Sequence, residues 1–171
     1  MAITYKKQPW LVGSTGNVPP SDRTVKMAAS QTGITGSPVY VSTSGTCKTE
    51  SSATGTDDVV HGFLNEDHST ADAVNTERRI TTVTSDQEWY IYLSNNGNDV
   101  TASQSYVGNQ YGYAVDSSTV GYMTLDINNG NGTMLVVDLA ANRDPSTYST
   151  SDTQGLVIAK FLDAVVEGTK A

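Results

Sequence analysis

The stretch that most constrains this chain is residues 78–100, RRITTVTSDQEWYIYLSNNGNDV. Within it, Trp89, Ile91 and Leu93 alternate with Tyr90 and Tyr92. Two-residue alternation of aromatic and branched side chains puts one face of a strand in a core and the other on a rim. The pattern predicts strands over residues 79–84 and 88–93, with Ser85-Asp86 as the turn between them. Asn95-Asn96-Gly97-Asn98 then supplies the positive φ values of a tight hairpin turn. Nothing in the stretch carries catalytic chemistry. It reads as scaffold and directs the search for function to surfaces.

Other segments repeat the signal. Residues 36–42 set Val39 and Val41 on one face and Tyr40 on the other. Residues 57–64 form a second strand segment, and Gly62 within it predicts a bulge or a close backbone approach. Residues 100–106 are expected to pair with 88–93. Residues 122–127 and 133–139 are expected to form the strongest hairpin, turning through a second Asn-Asn-Gly-Asn at 128–131. Residues 155–166 have the length of a helix, but Val157, Ile158, Val165 and Val166 favour a strand. Short strands separated by turn signals predict an all-β fold, a small antiparallel β-barrel or sandwich.

A chain of 171 residues is one domain, long enough to bury a core without staples. Residues 1–36 read as an extended N-terminal arm. Pro9, Pro19 and Pro20 interrupt regular structure, and residues 22–30 have room for only a helical turn or two. Residues 37–171 are then the body, expected to fold without the arm. Trp10 has to be buried, either on its own body or in a neighbouring subunit.

Charge divides along the same line. Residues 1–49 carry five basic and one acidic residue, a net +4; residues 50–171 carry five basic and seventeen acidic, a net −12. The acidic body argues against nucleic acid as the main partner. The basic section suits an acidic surface, such as that of another subunit. Cys47 is alone, which excludes an internal disulfide framework. The opening MAITYKKQPW lacks the apolar core of a secretion signal, and no apolar run approaches membrane-spanning length. Synthesis in a cytoplasm, with no membrane partner, is the expectation.

Chemical constellations are sparse. His61 and His68, with Asp57, Asp58, Glu66 and Asp67 nearby, read as a strand histidine and a solvated acidic loop rather than a metal site. Asp126 opens a loop faintly like a calcium loop, but Val137 stands where the closing glutamate belongs. Asn131-Gly132-Thr133 matches a glycosylation sequon without a secretion signal to give it meaning. Adjacent carboxylates on a strand point to opposite faces and do not converge as an acid–base pair. No nucleophile elbow or phosphate loop is present. A non-enzyme with no cofactor and no metal is expected. What stands out is tyrosine, nine residues against two phenylalanines. Tyrosine combines contact area with a polar tip, which suits faces buried against partners or sugars, and equally a packed rim of a sheet.

The order of segments from residue 58 to 162 resembles the head-decoration (capsid-stabilising, or cement) proteins of tailed bacteriophages. The resemblance rests on the strand 59–64, Arg79-Ile80, and the Ser85-Asp86 turn before Trp89–Leu93. It continues in Val107-Gly108-Asn109-Gln110-Tyr111-Gly112, Arg143-Asp144-Pro145 and the final Val157–Leu162. It implies a β-barrel or β-tulip on the outer surface of an icosahedral head. It also implies a homotrimer whose terminal arm clamps neighbouring major capsid protein subunits. On this reading Tyr5, Lys6, Lys7 and Trp10 are the partner-binding residues. The alternative is a carbohydrate-binding β-sandwich on a virion or cell surface, with Trp89 or the tyrosines as a stacking platform. A hydrolase with a scattered triad ranks far behind.

Overall fold

Strand β7 (Gln87–Asn95), inside the stretch singled out above, is the hub of the molecule. In the computed structural model, which describes residues 10–14, 21–41, 44–49, 60–116 and 122–162, it has neighbours along both flanks. One flank pairs antiparallel with β12 (Leu156–Phe161), in the register Val157↔Ile91 and Ala159↔Trp89. The other pairs with β10 (Tyr122–Asp126) through Thr124↔Tyr92 and Leu125↔Leu93. From β10 the ladder runs through β9 (Gln110–Asp116) and β11 (Met134–Leu139) back to β12. A five-stranded barrel is thereby closed, and the fold is all-β as expected. Its one departure from an antiparallel barrel is the β7–β10 rung, which is parallel.

The alternation in β7 has the predicted consequence. Trp89, Ile91 and Leu93 enter the barrel core with Tyr113, Met123, Leu125, Met134, Val136 and Phe161, all nearly inaccessible to solvent. Tyr92, on the outer face, is also buried. The short helix α1 (Ala140–Arg143) and the segment after it cover it, with Ala140 and Leu156 against it and Tyr148 packed on Tyr90 at 5.6 Å.

The second sheet contains β2 (Asp22–Lys26), β6 (Glu77–Thr82), β5 (Val60–Leu64), β3 (Pro38–Val41) and β4 (Cys47–Thr49), in that spatial order. It rolls up, because Met27, just past β2, bridges Cys47 at the start of β4. Val25, Met27, Val39, Cys47, Leu64 and Ile80 fill the inside of the roll. Gly62 does both things expected of it. His61 is the extra residue of a bulge opposite Val39 and Tyr40, and a Cβ on Gly62 would overlap the Thr81 carbonyl oxygen. The bulge redirects Phe63 out of the roll and into the barrel core, edge-on to Trp89 at 4.9 Å.

Several expected pairings differ. The strands around Ser85-Asp86 are not a hairpin, since β6 belongs to the rolled sheet and β7 to the barrel; this turn is the corner between sheets. The expected hairpin of residues 122–127 and 133–139 has both strands, but β9 lies between them. Residues 100–106 supply no long partner for β7. After the two-residue β8 (Asn98–Asp99) the chain passes into a 3-10 turn at Gln104–Tyr106. The tight turn at 95–98 is present, with Asn96 and Gly97 at φ 50° and 80° joining Asn95 to Asn98. Gly155 begins the last segment, whose described strand is β12.

The N-terminal section is woven into both sheets. β1 (Trp10–Ser14) pairs with β7, from Trp10↔Tyr90 to Ser14↔Gln87. Residues 22–26, expected to have helical character, are instead strand β2, whose ladder on β6 outweighs weak local propensity. The boundary at residue 36 therefore falls inside the rolled sheet. A body of residues 37–171 lacks Val25 and Met27, two members of its core.

Candidate functional site

Of the residues expected to bind a partner, Tyr5, Lys6 and Lys7 lie outside the described residues. Trp10 opens β1, and its backbone sits opposite Tyr90. β1 occupies the flank of β7 that β10 leaves uncovered. β10 meets β7 from Tyr92 to Ser94, whereas β1 meets it from Gln87 to Tyr90. The barrel ring is complete without β1, which is an added edge strand. A register shift between Leu11 and Gly13 interrupts its ladder.

One end of the barrel carries the two Asn-Asn-Gly-Asn turns side by side. The parallel β7–β10 rung is the cause, since parallel neighbours finish at the same end. Asp126, buried, ties them together: its Oδ1 accepts from the Asn96 N–H at 3.1 Å and the Asn128 N–H at 3.0 Å. Asn128 Nδ2 donates to Asn95 Oδ1 at 2.5 Å. Asp126 thus organises turns, through donors that a bound cation would repel.

The segment expected to be a solvated acidic loop holds a buried polar cluster. The side chains of His68 and Asp72 are 4% and 1% exposed, with Nδ1 and Oδ2 at 3.7 Å. Arg78, on β6, donates from its Nη2 to Asp72 Oδ1 at 2.6 Å and lies 3.7 Å from Glu66. Residues 30–35 close over the cluster. Gly33 and His68 exchange backbone hydrogen bonds, and Thr35 donates from N–H and hydroxyl to Asp67 Oδ1 at 2.6 and 2.9 Å. Those bonds hold the Asp67 carboxyl below its ordinary range. Burial lowers the pKa of His61 on the bulge, helped by the positive charge of Arg23. Asp57 and Asp58 lie outside the described residues, and no three or more metal-ligating side chains converge among the described residues. Sequence reasoning missed this cluster. The available signal was Asp72 between Ala71 and Ala73, four residues after a histidine.

The tyrosines whose side chains are described serve mainly internal packing. Tyr113 lies in the barrel core, Tyr92 is pushed up to about 12 chiefly by burial, and Tyr106 meets Tyr111 edge-on at 6.2 Å. Trp89, proposed as a sugar-stacking platform, is 3% exposed inside the barrel and has no face to offer a ligand.

Fold and site together define an all-β protein built from a closed barrel and a rolled sheet, with an added N-terminal edge strand. No protein-family model and no curated protein matches the chain.

Proposed function

We propose that this chain is a non-enzymatic structural protein of a phage virion. It decorates the outer surface of the icosahedral head and bridges neighbouring major capsid protein subunits through its N-terminal segment. The position of β1 supports the reading: the ring closes without it, so the barrel does not require the segment that leads into it. That segment contains Tyr5, Lys6 and Lys7. Its basic character suits an acidic partner, and the acidic remainder of the chain suits the solvent side of a shell. The resemblance of residues 58–162 to decoration proteins points the same way. Threefold association would present three such segments at once, so modest single contacts would sum to firm attachment.

The test is deletion of residues 1–9, which leaves β1 and β2 in place. The truncated protein should melt like the full chain and fail to bind heads stripped of their decoration protein. Binding equal to that of the full chain would refute the role of the segment.

A further inference from the structure

We propose that residues 30–35 are an acid-released latch. A neutral His68 holds the segment shut, and the ring lets it go on taking a second proton.

The two ring nitrogens of His68 face different surroundings. Nδ1 lies 3.7 Å from Asp72 Oδ2, and neither atom has a hydrogen-bond partner among the described residues. A shift of about 0.7 Å makes them donor and acceptor. Asp72 Oδ1 is already taken by Arg78, through Nε at 3.2 Å and Nη2 at 2.6 Å, so Oδ2 is the oxygen left for an Nδ1–H. Nε2 is also buried and also lacks a partner. It stands 3.1 Å from the point where a Cβ on Gly33 would lie, and Leu64 Cδ2 and Thr49 Cγ2 stand 2.7 and 3.0 Å from the same point. A bare ring nitrogen suits such neighbours. An N–H buried there without an acceptor is costly, and more so on a charged ring. The shut site therefore fits the neutral ring with its proton on Nδ1.

The charges around the ring do not reverse this. Glu66, Asp67 and Asp72 lie on its own loop, and Arg78 reaches it from β6, where Glu77 and Arg79 alternate to the other face. Residues 30–35 hold no ionisable side chain. β5 brings Leu64 here, and His61 lies back at the bulge; β4 brings Thr49, with Cys47 in the roll core and Lys48 alternating away. The carboxylates attract an imidazolium whether the segment is shut or open. What differs is the Nε2–H, which meets water only when the segment lifts. A ligand shifts an equilibrium by its differential affinity for the two states, and here the ligand is a proton. Four backbone bonds are released. Gly33 and His68 exchange bonds of 3.1 and 2.8 Å, the Ser30 N–H donates to the Asp72 carbonyl, and the Asp72 N–H donates to the Gln31 carbonyl, both at 2.8 Å. The shut form excludes the second proton, so its stability is complete above the ordinary histidine range and is lost progressively as pH falls below it. The Thr35–Asp67 bonds give way only below the ordinary aspartate value, so the two steps are separate in pH.

Hydrogen exchange of the full chain at about pH 7.5 and about pH 5 tests this. The Ser30, Gly33, His68 and Asp72 amides report the latch, and the Leu93 amide in the barrel serves as reference. A histidine open to water gains its proton near about pH 6.5, so opening should rise about thirtyfold between the two conditions once intrinsic exchange rates are divided out. Leu93 should not follow. His68→Gln should abolish the rise, and His61→Gln, which replaces the other histidine, should keep it. Nitrogen-15 shifts of the wild-type ring, which need no variant, should show the Nδ1–H tautomer at about pH 7.5. Flat protection in the wild type, a rise that survives His68→Gln or vanishes in His61→Gln, or a proton on Nε2 in the shut form would each overturn the proposal.

Discussion

Replacing Phe63 with alanine should weaken both halves of the molecule at once. Phe63 belongs to β5 of the rolled sheet, yet its ring lies in the barrel core, 4.9 Å from Trp89 and 5.7 Å from Phe161. It is 4% exposed. Truncating a buried phenylalanine costs about 3–5 kcal/mol through lost transfer energy and the cavity left behind. Loss of the edge-on Trp89 contact falls within that range rather than adding fully to it. Taking about 4 kcal/mol and about 2–4 °C per kcal/mol for a chain of this size, the midpoint should fall by about 8–16 °C. Urea unfolding should be followed by tryptophan fluorescence, which includes Trp89 beside the cavity, and by circular dichroism. The two curves coincide in a two-state wild type and should separate in the variant as the sheets lose their shared ring. A loss below about 1 kcal/mol would mean that the core does not depend on this side chain, and the account of how the sheets are joined would fail.

Other perturbations test other parts. Arg78→Gln leaves the Asp72 carboxylate buried without its cation and should cost about 2–3 kcal/mol in denaturant unfolding; adding Asp72→Asn should recover part of it. Gly62→Ala puts a methyl group into the Thr81 carbonyl and should cost more than 2 kcal/mol, roughly the scale of an overpacked core site, or prevent folding outright. The Asp67 carboxyl is held low, first by the Thr35 N–H and then by its hydroxyl, so its contribution to stability is complete above the ordinary aspartate value. That contribution is lost as pH falls through the lower folded-state value, and thermal melts of Asp67→Asn should be less sensitive to acid in that window. Ultraviolet titration should find one tyrosine ionising near 12, absent in Tyr92→Phe. Because burial raises this pKa, the associated stability persists below the ordinary tyrosine value and is lost as pH rises toward 12.

Local signals in the sequence reported faces and turns faithfully and partners poorly. The alternation at Trp89, Ile91 and Leu93 is a property of one strand, so it was readable without knowing the neighbours. Asn96-Gly97 fixed its own backbone for the same reason. The Asn-Gly turn after β10 instead carries the chain across β9 to β11, which runs parallel to β10, so the local signal marked a turn and not a hairpin. Residues 22–26 have little apolar pattern, and only pairing with β6 makes them a strand. The polar cluster was hidden because burial of Asp72 depends on Arg78 arriving from β6 and residues 30–35 closing above it.

The place of β7 has a consequence for synthesis. One flank takes β12, late in the sequence, and the other takes β10 and β1, so the ring cannot close until residues 156–161 have been made. Until then a nine-residue strand rich in aromatic side chains waits with an open side. Such distant pairings are slow to form and expose edges while they wait. The nascent chain is therefore at its most vulnerable just before residues 156–161 emerge, and a missing β12 should be more damaging than a missing β1.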